Sequence, residues 1–152
     1  MFSSGRASAQ GWVLWAGRGA LALVLAWNLQ AALAFILAPD AHAPGFGVSG
    51  IPGRAIVRGF GILFLMWNVP YVAALIHPVR QIVSFACAVV AQFIGLAGET
   101  WMYFVLPAGH EALRATGLRF IIFDGTGFAL LAITFVLAWR LWKGAEWPSE
   151  AV

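Results

Sequence analysis

Four stretches of this sequence, each of twenty or more residues, contain almost no charged side chains. They lie at about residues 12–38, 55–76, 82–106 and 120–139. An α-helix needs roughly 20 apolar residues to cross a bilayer core about 30 Å thick. The whole chain is 62% hydrophobic and 10% charged, too few charges to cover a soluble domain. These figures exclude a soluble enzyme domain, a disordered tail and a nucleic-acid-binding module, and they indicate the lipid bilayer as the main partner.

The four stretches show no alternation of polar and apolar residues, so their length predicts helices rather than strands. A loop rich in proline and glycine at residues 39–53 separates the first two stretches, and His77 and Pro78 form a tight turn between the next two. Residues 107–109 begin a longer loop that is predicted to end near Arg119. We therefore predict an all-α, four-helix transmembrane bundle. Residues 1–152 are expected to form a single integral membrane domain.

Basic residues near the helix ends predict the orientation in the membrane, because Lys and Arg accumulate on the cytoplasmic side. The counts differ only slightly between the two faces, and they favour cytoplasmic termini with the two longer loops outside. One face carries Arg6, Arg18, Arg80, Arg140 and Lys143, and the other carries Arg54, Arg58, Arg114 and Arg119.

Three ionisable residues fall inside the predicted spans, where an isolated charge costs several kcal/mol. Arg58, Glu99 and Asp124 all lie in the outer half of the bundle, close to the longer loops. Amide side chains extend this polar layer. Gln92 precedes Glu99 by seven residues, which is two helical turns, so both share one helix face.

Helix one adds Asn28 and Gln30 to this layer. Helix two adds Asn68, two residues before Pro70, which frees the carbonyl of Met66 and is expected to kink the helix. The predicted polar cluster contains Arg58, Gln92, Glu99, Asp124, Asn28 and Gln30.

Two interpretations of this cluster compete. In the first, Arg58 forms an ion pair with Glu99 or Asp124, and the amides complete a structural network that orients the helices. In the second, the cluster is an outward-facing ligand or proton-handling site, since charge inside a membrane commonly marks function. The second interpretation stays open because the cluster has two acids and only one nearby arginine. The acid that is left without a basic partner could take up a proton.

Small residues at helical spacing predict places where helices approach closely. They occur at Ala22 and Ala26, at Ala91, Gly95 and Gly98, and at Gly125 and Gly127. No arrangement of His, Cys or acidic residues has metal-ligand spacing, and no catalytic constellation is readable. We therefore predict no catalytic residue and no metal site, and the sequence identifies no cofactor.

The chain resembles the small bacterial DoxX-like membrane proteins, through FILAP at residues 35–39 and VRGFG at residues 57–61. Some members of that family are associated with respiratory quinol oxidase complexes, so the resemblance implies a bacterial inner-membrane location and an accessory-subunit role. NLQ at residues 28–30 and GETW at residues 98–101 are similar to four-span scaffold proteins of sterol synthesis.

The leading interpretation is a non-enzymatic accessory or scaffold subunit of a larger membrane complex, or a homo-oligomer, with a buried polar cluster. The alternative is a protein that binds a small molecule, lipid or quinone, as an enzyme or a transporter, through an outward-facing acidic pocket.

Overall fold

A computed structural model describes residues 3–145, and the side chains of residues 11–145. The side chain of Arg6, counted in the orientation argument, lies outside the described part. The described residues form helices joined by short turns, with no strand among them, so the predicted all-α fold is confirmed. The helices are α1 (Ser3–Leu37), α2 (Pro39–His42), α3 (Gly50–Trp67), α4 (Val69–Ile76), α5 (Ile82–Val105) and α6 (Glu111–Lys143).

Four helical segments are long and apolar enough to cross a membrane, and they support integral membrane localisation. They are Gly11–Leu37, Gly50–Ile76, Ile82–Val105 and Glu111–Lys143. The last begins nine residues before the predicted start at residue 120. Arg114 explains the difference, because its guanidinium donates hydrogen bonds to Tyr103 O and Leu106 O at the end of α5. A paired arginine can therefore continue the helix where the sequence suggested a loop.

The second span is two helices, because the chain is interrupted at Asn68 between α3 and α4. The break lies two residues before Pro70, where the sequence predicts a kink. The Asn68 side chain donates to Phe64 O at 2.7 Å, and the same carbonyl accepts the Asn68 backbone N–H at 3.2 Å. The two pieces then pack differently: α3 lies against α1, whereas α4 lies against both α1 and α5.

The half of the bundle next to the turn at residues 77–81, here called the inner half, is a continuous core, and the opposite half is called the outer half. Fully buried side chains of α1, α4, α5 and α6 meet in the inner half, among them Leu21, Tyr71, Phe85 and Leu131. Gly17 lies against Pro78, so α1 also packs closely on the turn. The α4–α5 turn is held by Arg18, which donates to Ile76 O at 2.6 Å.

The outer half has a smaller core, built on Phe35, Ala43 and Val57. The segment between α1 and α3 folds over it as α2 and a 3-10 turn (Ala43–Phe46). Gly47 ends this turn with φ of 67°, a left-handed conformation that glycine adopts without strain. Phe46 then reaches rings of three other helices, namely Phe35, Phe60 and Phe120.

The α4–α5 turn contains a histidine, His77, that is harder to protonate in the folded chain than in the unfolded chain. His77 Nδ1 accepts a hydrogen bond from the Arg80 backbone N–H at 3.1 Å, which a proton on Nδ1 would prevent. Burial, followed by the positive charge of Arg80, lowers the pKa of His77 below its usual 6.5. The unfolded chain therefore binds this proton more readily than the folded chain, so the His77 contribution to stability is present above pH 6.5 and declines as the pH falls.

We expect His77→Asn to remove part of the acid sensitivity of the fold. The Asn side-chain oxygen can still accept from Arg80 N–H, but it does not titrate. The measurement is the thermal unfolding midpoint in a neutral detergent at several pH values below 6.5. The wild type should lose more stability on acidification than the variant, whereas parallel pH profiles would show that His77 has no part in it.

Candidate functional site

A buried amide joins three helices near the middle of the bundle. Gln92 on α5 is 3% exposed. Its Oε1 lies 2.7 Å from the Tyr71 hydroxyl of α4, and its Nε2 donates to Asp124 Oδ1 of α6 at 2.8 Å. The Tyr71 hydroxyl also lies 3.1 Å from Ala88 O. Both ends of the amide are thereby satisfied, which an amide buried away from water requires.

Two glycines provide the room for this connection. A Cβ atom at Gly127 of α6 would lie 2.8 Å from Gln92 Nε2. A Cβ atom at Gly95 of α5 would overlap the Asp124 carboxylate. The predicted use of Gly95 and Gly127 for close approach is therefore confirmed, whereas Gly98 has no atom within 4 Å of its Cβ position.

A second pair of amides joins α1 to the break in the second span. Asn28 donates to Asn68 Oδ1 at 3.1 Å, and both side chains are more than nine-tenths buried. Asn28 belongs to the predicted cluster, and this bond fixes its position beside the kink.

A small cavity, here called the acidic cavity, lies between these amides and the outer half of the bundle. Its volume is about 170 Å³. The polar side chains that line it are Asn28, Gln92, Glu99 and Asp124, and the aromatic ones are Phe64, Trp67, Phe120 and Phe123. Four of the six predicted cluster residues are thus brought together around one space.

The two carboxylates of this cavity differ in their partners. Asp124 accepts the hydrogen bond from Gln92. Glu99 is half-buried, and within the described part of the chain no side chain or backbone group donates a hydrogen bond to its carboxylate. No Lys, Arg or His is among the residues that line the cavity, all of which are described. The lining of the cavity therefore contains two acidic side chains and no basic one.

The other two predicted cluster residues lie elsewhere. Arg58 is exposed, and its Nε donates to Ile36 O at 3.4 Å. Gln30 is exposed on the outward face of α1. The expected ion pair of Arg58 with Glu99 or Asp124 does not form: among the described side chains, the ion pair is Arg54 with Asp40, at 3.4 Å. The reason is register, because Arg58 follows the fully buried Val57 and points away from the core.

A larger cavity, here called the outer cavity, adjoins the acidic cavity. Its volume is about 600 Å³, within the range of small-molecule sites. Phe64, Glu99 and Phe120 line both cavities, so Glu99 stands where the two meet. The remaining walls come from the end of α1, from α3, from the ends of α5 and α6, and from the 3-10 turn. They include Phe35, Phe46, Phe60, Met102, Tyr103 and Leu113.

The outer cavity exists because α3 packs on α1 while α5 packs on α6, which leaves space between the two pairs. Several wall residues are partly exposed on the lipid-facing surface, including Phe60 at 36% and Met102 at 50%. Arg114 lines the end of the outer cavity that lies away from Gln92 and Asp124. Its guanidinium donates to two backbone carbonyls and lies 5.2 Å from the centre of the Tyr103 ring.

The sequence analysis did not identify Tyr71 or any of the aromatic side chains that line the two cavities, among them Trp67 and Phe120. Tyr71 was overlooked because one phenol in an apolar run looks like a core residue, although its spacing from Pro70 placed it at the kink. Trp67 and Phe120 were read as parts of apolar spans, and nothing in the sequence separates an aromatic ring that lines a cavity from one that faces lipid.

No protein-family model, curated protein or solved structure matches the chain. The resemblance to DoxX-like proteins therefore stays a prediction.

We expect Gly95→Ala to destabilise the bundle while Gly98→Ala does not. Both changes lie on α5, one turn apart, but only the first places a methyl group on the Asp124 carboxylate. Overpacking of this kind costs about 1–3 kcal/mol, whereas alanine at an open helical position is neutral or slightly stabilising. The measurement is the thermal unfolding midpoint of each variant in the same detergent.

The control is Gly95→Ala combined with Asp124→Ala, in which the overlapping carboxylate is gone. The methyl group should then cost much less than it does beside Asp124. An equal loss in both backgrounds would show that Gly95 is needed for another reason.

Proposed function

We propose that this protein is a membrane-embedded binding protein for a small, mainly apolar molecule with one polar end. The observation that carries the proposal is the outer cavity of about 600 Å³. Its aromatic walls lead to the Glu99 carboxylate, to which no group in the described part of the chain donates a hydrogen bond. An apolar body gains free energy by leaving water for an aromatic wall, and a few polar groups at one end set the orientation.

The arrangement places the polar end of the ligand deep in the bundle. Gln92 and Asp124 are at the deep end, and Leu106 and Pro107 are at the outer end. A bilayer phospholipid has the opposite order, with its head group at the membrane surface. The site therefore favours a compact molecule, such as a ring system with one polar substituent, over a bilayer lipid in its usual orientation.

A photolabelling experiment tests this function. The probe is a small uncharged aryl diazirine added to the protein in dodecyl maltoside micelles. We expect it to label Phe120, which is half-buried and lines both cavities, as well as exposed residues on the lipid-facing surface. The attachment sites are read by peptide mass spectrometry.

Gly117→Leu is designed to fill the outer cavity, and it is compared with a control variant that carries the same change elsewhere. Gly117 lines the cavity and has open space at its Cβ position, so a leucine can fill the cavity without displacing the backbone. Gly98→Leu is the control, since Gly98 is exposed and lies outside both cavities. Loss of Phe120 labelling in Gly117→Leu alone is the expected result, and unchanged labelling in both variants would refute the function.

A second candidate, association with a partner or a second copy, is favoured by the outward face of α1. Gly19, Ala22, Ala26 and Gln30 are exposed along this face. Small residues allow close helix contact in lipid, and an amide can bond across the interface. An accessory or scaffold subunit, as first predicted, would use such a face.

Native mass spectrometry after mild solubilisation tests the association. The accessory or homo-oligomer hypothesis predicts a species heavier than the monomer, weakened by Gln30→Leu. The buried Asn28 is unsuitable as a target because it supports the fold. Recovery of the free monomer alone from the wild type would contradict this candidate.

We further propose that both termini are cytoplasmic. In a Cys87→Ser background, Ser49→Cys marks the loop before α3 and Gln81→Cys marks the turn before α5, and both positions are exposed. A membrane-impermeant maleimide should label the first in intact cells and the second only after permeabilisation. The reverse pattern would invert the orientation.

A further inference from the structure

We infer that the ligand of this site is a lipophilic cation, whose single positively charged nitrogen occupies the acidic cavity. This inference rests on the proposed function and adds the chemical class of the ligand. Three independent features of the cavity lead to it: its charge, its aromatic walls and its size.

The charge favours a cation over an anion or a neutral polar group. Glu99 and Asp124 both line the acidic cavity, and the lining contains no basic side chain. When both are ionised, two carboxylates in one small space repel each other, and the low dielectric of the bundle strengthens that repulsion. A bound cation competes with protons for these carboxylates, and it would face the Glu99 carboxylate, to which no described group donates a hydrogen bond. An anionic head group would instead increase the repulsion.

The aromatic walls favour an alkylated nitrogen over a metal ion. Phe64, Trp67, Phe120 and Phe123 surround the same space. The faces of aromatic rings attract cations, and sites for quaternary ammonium groups combine several rings in this way. A bare metal ion instead needs several oxygen or nitrogen ligands, and the described residues contain no group of three or more His, Cys, Asp or Glu side chains that could hold one.

The sizes of the two cavities divide the ligand into a head and a body. The acidic cavity, at about 170 Å³, has room for a substituted ammonium group but not for a whole drug-sized molecule. The body then extends past Glu99 into the outer cavity of about 600 Å³.

The arginines near the outer end determine which way round the ligand lies in the two cavities. Arg114 lines the outer cavity but is ten residues, or about 15 Å of helix, from Asp124. Arg119 and His42 line a third cavity, which shares Phe120 and Phe123 with the acidic cavity. Their positive charges at the outer end repel a cationic head group there, and the two carboxylates attract it to the deep end. The body that remains beside Arg114 must therefore be uncharged.

The test compares two probes that differ in charge alone. Benzyltrimethylammonium is a cation, and neopentylbenzene is its neutral isostere with carbon in place of nitrogen. Each is titrated against the aryl diazirine, and the readout is the concentration that halves the labelling of Phe120. Because the two probes partition differently into micelles, each is compared with itself across protein variants.

The variant is Glu99→Gln combined with Asp124→Asn, which removes both charges while keeping the shape of the side chains. The Asn oxygen can still accept the hydrogen bond from Gln92. Asp40→Asn is the control, because it removes a carboxylate that pairs with Arg54 far from the acidic cavity. Uncompeted labelling of Phe120 in every variant shows that the site is intact.

We expect the half-displacing concentration of benzyltrimethylammonium to rise about tenfold or more in the double variant, which corresponds to about 1.4 kcal/mol. That of neopentylbenzene should change less than about twofold, and Asp40→Asn should change neither. Equal effects on both probes, or failure of the cation to compete in the wild type, would overturn the inference that the ligand is a cation. Cavity-dependent labelling of Phe120 would still support an apolar binding site in that case. Absence of cavity-dependent labelling would instead refute the proposed function itself.

Discussion

The arrangement of this bundle depends on the two hydrogen bonds of the Gln92 side-chain amide. The amide is satisfied on one side by the Tyr71 hydroxyl and on the other by Asp124, so α4, α5 and α6 are held in one register. In lipid, apolar surfaces alone do little to draw helices together, and such hydrogen bonds and small-residue contacts decide which faces meet. The same bond fixes one carboxylate of the acidic cavity, so the packing of the inner core and the geometry of the site share one cause.

The bundle is asymmetric from one end to the other. Its inner half is filled by side chains from four helices, including the fully buried Tyr71 and Phe85. Its outer half has a smaller core and holds the cavities, because the rings of Phe35, Phe46 and Phe120 contact one another without filling the space between α3 and the α5–α6 pair. The candidate site therefore has a closely packed inner end and a partly exposed outer end.

Much of the fold could be predicted from the sequence, because crossing a membrane imposes a length and a composition that few other structures need. The kink beside Pro70 was predictable for a similar reason, since proline removes a specific hydrogen-bond donor. The start of α6 was not, because a charged residue such as Arg114 reads as a loop until its carbonyl partners are known.

The site was predicted only in part. Gln92 and Glu99 could be placed on one helix face by their spacing, and Asn28 and Asp124 could be placed at a similar level. The rotation of each helix about its axis could not be deduced, because the spans are apolar on all sides and carry little directional pattern. Arg58 and Gln30 were therefore assigned to the cluster, although α3 and α1 turn them outward.

Because of the break at Asn68, the wall of the outer cavity and the hydrogen-bond partner of Gln92 lie on two different helices. Outside the break, α3 supplies Phe60 and Phe64 to the outer cavity; inside it, α4 supplies Tyr71 to the hydrogen bond with Gln92. A change in the size of Phe60 or Phe64 would consequently alter the volume of the outer cavity while the hydrogen bond between Tyr71 and Gln92 stays in place.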